Sequence, residues 1–265
     1  MRNPFRKIAF VLASSEHGTL IVNRFDYCMV DKNRGFGVGF QILERSAFDP
    51  DEVDAVLSLL ELRRNYFGDG VVAIDCGANI GVHTIDWAKK MTGWGSVIAI
   101  EAQERIYYAL AGNIAINNCF NARAILAAVA ARDGVLKIPD LDYLMPASFG
   151  SLELKKQDKS EFIGQKIDYN ENKTVEVRAL SLDSLKLPRI DLIKIDVEGM
   201  ELEALEGAMI SIKKNLPVML VETIKTDKLQ LRNTLEGLGY KILEMGLNFL
   251  AVHNTDKTIA HIKSV

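Results

Sequence analysis

Val71-Val72-Ala73-Ile74-Asp75-Cys76-Gly77-Ala78-Asn79-Ile80-Gly81 is the stretch whose reading decides the fold. Its first four residues form a continuous apolar run, the pattern of a parallel strand covered on both faces. The run ends on Asp75 and enters a turn where Gly77 and Gly81 permit sharp bends and a close approach of backbone to a ligand. Val82, Ile85, Ala88 and Met91 then recur at helical spacing. The unit therefore reads strand, turn, helix, with the free N–H groups of the helix start facing whatever fills the turn.

Working outward, Gly93 and Gly95 close that unit, and Val97 to Ile100 supply a second apolar strand that delivers Glu101 to its carboxyl end. A carboxylate there is placed to accept hydrogen bonds from a ribose diol, a feature that also suits NAD. The first turn separates the two cofactors. It reads Asp-x-Gly-x-Asn-x-Gly rather than Gly-x-Gly-x-x-Gly, so the usual glycine placement for a pyrophosphate is missing and Asp75 adds a negative charge beside it. An amino-acid moiety carrying an ammonium is the better electrostatic match.

The same stretch, taken with Asp191-Leu192-Ile193-Lys194-Ile195-Asp196-Val197-Glu198-Gly199-Met200-Glu201, resembles the FkbM family of S-adenosylmethionine-dependent methyltransferases. The resemblance covers roughly residues 70–241. It implies a Rossmann-like class I methyltransferase fold, S-adenosyl-L-methionine as cofactor, and O-methylation of sugars or natural products. It also implies that Asp75, Gly77, Asn79 and Gly81 line the methionine side of the cofactor and that Glu101 holds the ribose. Ala102-Gln103 follow that acid where the family often has proline, a change in the turn that leaves the carboxylate available.

The remaining pattern is an α/β alternation, as in a doubly wound, mostly parallel sheet. Ile106, Leu110 and Ile114 mark a helix over residues 105–117, and residues 124–130 read as one strand whose end sets Ala128 and Val129 either beside an adenine or in the core. Residues 192–195 lead to Asp196 and then to one helix carrying Leu202, Leu205, Met209 and Ile212. Residues 217–221 lead to Glu222, and residues 240–243 and 249–253 complete the sheet as an antiparallel C-terminal edge.

Two regions flank this frame. Residues 1–69 read as an N-terminal appendage or lid, with a hairpin over residues 18–30, a chain loosened by Gly35, Gly37 and Gly39, and a helix announced by Asp49 as cap, Pro50 in the first turn and Glu52 as reciprocal capping partner. Within the 70–265 methyltransferase domain, residues 131–188 form a long excursion, read either as part of a substrate pocket or as an outer sheet extension. Lys155, Lys156 and Lys159, mixed with Asp158 and Glu161, read as solvated residues rather than a phosphate clamp.

Asp196, Glu198 and Glu222 are the candidates to orient or activate an acceptor, since oxygen methylation needs an aligned nucleophile and a route for its proton. Lys194 shares a strand face with Asp196 and either pairs with it or addresses the acceptor. His83, early in the first helix, is a further candidate for donor or acceptor contact, although its neighbours complete neither a metal motif nor a triad. The three acids have the oxygen chemistry of a Mg²⁺ site, but Lys194 competes for them, and metal-independent catalysis is the expectation.

Composition sets the outer bounds. The chain has 265 residues, 48% of them hydrophobic, enough for a substantial core, and 32 basic against 35 acidic residues argue against a general nucleic-acid footprint. Cys28, Cys76 and Cys119 form neither a pair motif nor an even framework, as expected of reduced thiols in the cytoplasm. The apolar run after Arg6-Lys7 reads as a first strand or helix rather than a signal sequence, and no apolar stretch reaches membrane-spanning length. The expected activity is methyl transfer to an oxygen of a small-molecule or glycan acceptor. A cofactor-binding or assembly protein without turnover, and more weakly an NAD-dependent oxidoreductase, are the competing readings.

Overall fold

A computed structural model describes residues 6–32, 34–157 and 160–261. In chain order the elements are β1 (Phe10–Ser15), β2 (Gly18–Asn23), β3 (Cys28–Met29), β4 (Gly35–Phe36), α1 (Val38–Arg45), α2 (Pro50–Phe67), β5 (Val71–Cys76), α3 (Val82–Lys90), β6 (Gly95–Glu101), α4 (Glu104–Ile116), β7 (Ala122–Leu126), β8 (Ala128–Val129), β9 (Gly134–Pro139), β10 (Thr174–Leu180), β11 (Leu192–Ile195), α5 (Glu201–Glu206), α6 (Met209–Asn215), β12 (Val218–Glu222), α7 (Lys228–Gly237), β13 (Tyr240–Met245) and β14 (Asn248–His253).

Seven strands form the central sheet in the order β13-β14-β12-β11-β5-β6-β7. β5, β6, β7, β11 and β12 pair in parallel, whereas β14 runs antiparallel to both β12 and β13. The expected doubly wound class I methyltransferase fold is present. Its antiparallel member is β14 alone, inserted one place inside the edge that β13 occupies. The chain order reverses on either side of β5 and β11, and this is where an open α/β sheet leaves a crevice at its strand ends. Both strands are almost wholly buried, as their aliphatic runs require.

Several local expectations are corrected. The first hairpin joins β1 to β2, with Ser15 opposite Gly18, while residues 28–29 turn instead to residues 35–36. Gly37 and Gly39 do not loosen the chain: α1 follows Gly37, and Gly39 seats against Asn23 and Asp26 where a Cβ would meet their atoms at 2.6 and 2.7 Å. The strand foreseen over residues 124–130 is divided at Ala127. Its N–H still bonds Glu101 O at 3.0 Å, after which β8 leaves for a separate three-stranded sheet of order β8-β10-β9. The helix foreseen after Asp196 is broken at Gly207, which packs against the Ala130 carbonyl. Asp183 restarts it, accepting from Ile210 and Ser211 N–H at 2.9 and 2.7 Å.

Helix α2 begins at Pro50 without the anticipated capping box. Asp49 sits in the left-handed region with φ 37°, which turns its carboxylate away from the first-turn N–H groups, and Glu52 reaches other partners. The helix buries Val53, Val56, Leu59 and Leu60. Behind it Arg63 makes a buried network with Asp191 and Asp256, and Asp191 also accepts from Val72 N–H and Arg189. No described helix is long and apolar enough to cross a membrane.

Candidate active site

A cleft of about 270 Å³ opens at the carboxyl ends of the parallel strands. One end is built by the turn after β5. Asp75, buried at the strand end, accepts from Thr84 Oγ1 at 2.6 Å through Oδ2, while its buried Oδ1 has no partner. Glu101 accepts from Asn79 N–H at 2.9 Å and from Gln103 N–H at 2.8 Å, so the carboxylate is fixed with lone pairs left over. Burial, opposed by those backbone bonds and reinforced by Asp75, pushes the Glu101 carboxyl up to about 7.

The turn itself is shaped by packing within the protein. Gly77 has φ 77°, and a Cβ there would overlap the Asp196 carbonyl oxygen; Gly81 has φ 91° and faces Leu110. The glycines thus let the turn close onto the end of β11 and onto α4. Asn79 adopts φ 51°, a left-handed conformation that asparagine tolerates, with its Oδ1 bonded to Ile80 N–H at 2.7 Å. Ala128 and Val129 line the same cleft from β8.

At the other end, β11 and β12 lie side by side and present Asp196, Glu198 and Glu222. One carboxylate oxygen from each falls within 4.8 Å of the others, a spacing that could hold a divalent cation. Two ammonium groups compete. Lys194 Nζ is 2.6 Å from Asp196, and Lys225 Nζ is 2.7 Å from Glu198 while donating to Ser151 O at 2.7 Å. Burial pulls the Lys194 ammonium toward neutrality, but Asp196, Asp75 and Glu52 outweigh it and hold its pKa above the ordinary value. Glu198, with φ 54°, is pushed up to about 8 by burial and by Asp196. Glu222 is pushed up to about 9 by burial, Asp196 and Glu198.

His83 also lines the cleft, with Nε2 3.2 Å from Glu52 Oε1. The remaining wall comes from outside the strand ends: Phe36, Val38, Gln41 and Phe48 of the N-terminal segment, and Ser148, Ser151 and Leu152 of the excursion. The excursion therefore contributes both to the cleft and, through β9 and β10, to the outer sheet. Lys155 lies away from any clamp, paired with Glu203 at 2.5 Å, and Asp158 and Lys159 fall outside the described residues. Sequence reasoning overlooked Lys225 and gave Glu52 only a capping role. A single lysine after a strand and an acid in a first turn carry no local mark of a distant partner.

Raised carboxyl pKa values mean that the native state binds more protons than the unfolded chain between the ordinary range and about 9, so stability must fall as pH rises through that window. The thermal midpoint of the cofactor-free protein, followed in a chelating buffer, is expected to drop from pH 6 to pH 9. Glu222→Gln should flatten the slope; a variant as pH-sensitive as the parent would remove Glu222 as its source.

Known proteins resemble this chain over the region that builds the cleft. The Methyltransferase FkbM domain profile matches residues 75–242, well over half of the chain. Methyltransferase sdnD of Sordaria araneosa is 29% identical over 154 residues, covering 51% of this chain, and Methyltransferase 1 of Beauveria bassiana (strain ARSEF 2860) is 25% identical over 150 residues, covering 53%. The chain spans 59% of the length of each of these relatives. The crystal structure of Methyltransferase FkbM from Methylobacillus flagellatus KT superposes with a TM-score of 0.50 at 17% identity, over 72% of this chain and 48% of that one, a likeness of fold. The unpartnered Asp75 oxygen and the anchored Glu101 leave acceptor capacity that suits an ammonium and a ribose, and over residues 75–242 the chain belongs to the FkbM methyltransferase family.

Proposed function

We propose that this enzyme methylates a hydroxyl oxygen of a glycan or other polyhydroxylated small molecule. The observation that carries the reading is the polar end of the cleft, where Lys194 holds Asp196 at 2.6 Å beside Glu198 and Glu222. A carboxylate fixed by a buried ammonium keeps its charge and its direction, and it can accept a hydrogen bond from an acceptor hydroxyl. Glu222 and Glu198, with carboxyls pushed up to about 9 and about 8, carry protons at neutral pH and can donate to neighbouring sugar oxygens. Such alternating donors and acceptors match a vicinal diol better than an apolar ring.

In this reading Asp75 receives the cofactor's ammonium, Glu101 the ribose diol, and Ala128 and Val129 the adenine face. Gly77, Asn79 and Gly81 shape the turn. S-adenosylmethionine supplies an electrophilic methyl group, and the protein's contribution is to align the oxygen with it and exclude water. Lys194 and Lys225 already stand beside two of the three acids, Asp196 and Glu198, where a cation would have to displace or repel them, which favours catalysis without a metal.

The test is methyl transfer from labelled S-adenosylmethionine to a panel of hydroxylated glycans and natural products, before and after exhaustive chelation. Labelled methyl ether formed equally in both conditions is the expected result. Products methylated on nitrogen or carbon alone would refute the acceptor class. Near-complete loss on chelation with recovery on stoichiometric Mg²⁺ or Mn²⁺ would refute metal independence.

A further inference from the structure

The excursion meets the turn after β5 through a short turn of its own, residues 148–151. A Cβ on Gly150 would come within 2.6 Å of Asn79 Nδ2, so this glycine lets one turn lie directly on the side chain of the other. Phe149 is fully buried, and both of its backbone groups are taken by side chains. Its N–H donates to Asp26 Oδ1 at 2.9 Å, and its carbonyl accepts from Gln103 Nε2 at 2.7 Å. Asp26 also accepts from Gly39 N–H at 2.8 Å, and Gln103 Oε1 accepts from the Tyr143 hydroxyl at 3.0 Å. Asp26 lies before the residues that match the family profile, and Gln103 belongs to the pair that stands where the family often has proline, whose ring could make neither bond.

This clasp gathers hydrogen-bond donors at one corner of the cleft, which Asn79, Ser148 and Ser151 all line. Ser148 Oγ and Ser151 Oγ are 2.9 Å apart, and the bond between them uses one hydroxyl proton and leaves the other for a ligand. Asn79 spends Oδ1 on Ile80 N–H at 2.7 Å, which leaves the Nδ2 hydrogens to donate. Behind the turn, Lys225 Nζ, shared with Glu198, donates to the Ser151 carbonyl at 2.7 Å. Donors backed by an ammonium suit an anion. The cofactor's one anionic group is its amino-acid carboxylate, which shares a carbon with the ammonium, so the ligands of the two must be neighbours. Asp75 and Asn79 belong to the same tight turn.

We propose that Ser148, Ser151 and Asn79 bind the carboxylate of the cofactor's amino-acid arm, with Gln103 and Asp26 as the positioning residues that hold the serine turn in place. The inference rests on the placement of the ammonium at Asp75 and the ribose at Glu101. It gives the excursion a task in cofactor recognition and leaves the acid end to the acceptor. It also ties the N-terminal segment to the cofactor, since Asp26 joins Gly39 to Phe149.

Two probes test this without an acceptor: S-adenosylhomocysteine, and its decarboxylated analogue, which keeps the ammonium and lacks only the carboxylate. In calorimetry the Ser148→Ala/Ser151→Ala variant is expected to bind S-adenosylhomocysteine about tenfold or more weakly, with the analogue within about twofold of wild type. Binding of the analogue also reports that the variant is folded. Unchanged affinity for S-adenosylhomocysteine, or equal weakening of both probes, would overturn the proposal. Asn79→Asp keeps the side-chain shape and the bond to Ile80 and sets an anion where the amide was. It should weaken S-adenosylhomocysteine about tenfold or more and leave the analogue bound as tightly as before or more so. Tighter S-adenosylhomocysteine would place the ammonium there and overturn the assignment. Gln103→Leu breaks the link to Phe149 and should cost S-adenosylhomocysteine about threefold more affinity than the analogue; equal losses would overturn its positioning role. Glu101→Gln should weaken both probes alike. Wild-type affinity for both in that variant would refute the ribose placement, while the serine variants still decide what holds the carboxylate.

Discussion

Gly77→Ala is expected to lower the melting temperature by about 6–12 °C and to abolish measurable S-adenosylhomocysteine binding. Two penalties combine. A Cβ at φ 77° occupies the left-handed region, at a cost of about 1–2 kcal/mol. It would also overlap the Asp196 carbonyl, which is backbone at the end of a buried strand and cannot swing aside as a side chain can. Overpacking of this kind costs about 1–3 kcal/mol, and together the two give about 3 kcal/mol or somewhat more. At about 2–4 °C per kcal/mol for a chain of this size, the shift follows. Gly93→Ala is the control, since Gly93 has φ 84° and nothing within 4 Å of its would-be Cβ. Calorimetry and thermal denaturation of both variants separate strain from collision. Should Gly77→Ala melt within a degree or two of Gly93→Ala, the collision with β11 has no energetic weight.

Asp196→Asn carries the largest expected effect on turnover, a loss of about 10²-fold or more in kcat with the dissociation constant for S-adenosylhomocysteine changed less than about threefold. The substitution keeps the shape of the side chain and removes the charge that balances Lys194 at 2.6 Å and that we propose directs the acceptor hydroxyl. Lys194 is buried and would lose the carboxylate that balances it, which disturbs the acid end of the cleft first. The loss should therefore appear in kcat, while cofactor affinity, which we assign to Asp75 and Glu101, stays nearly constant. Rate measurements under cofactor saturation, with binding followed separately, test the division. Wild-type turnover in a folded Asp196→Asn protein would remove the residue from the acceptor site, and a parallel loss of cofactor affinity would move it to the cofactor's side.

The legible part of the site is the part written in consecutive residues. Asp75 to Gly81 announce a strand end, a tight turn and a helix start, and the chain does fold that way from Val71 to Lys90. Lys194 lies on β11 and Asp196 just past its end, two residues on, so alternation alone put them on one side of the sheet, where they pair. Glu52 shows where such reasoning stops. Its position three residues after Asp49 fits a capping box, but Asp49 takes a left-handed backbone and Glu52 is drawn to His83 and Asn248, partners that no local spacing encodes.

The sequence by itself determined the class of sheet, the turn between β5 and α3 and the acids at the strand ends, because each depends on periodicity and turn chemistry within a few residues. Tertiary structure alone decided how those acids behave. Glu198 and Glu222 are ordinary carboxyls along the chain; burial beside Asp196 raises them, and Lys225, tied to Ser151 of the excursion, restrains one of them. It also decided where elements end. The chain leaves the main sheet at Ala127, and the helix breaks at Gly207 because that glycine must pass the Ala130 carbonyl. Such outcomes depend on desolvation and collision between segments far apart in the chain, energies that exist only once the segments have been brought together.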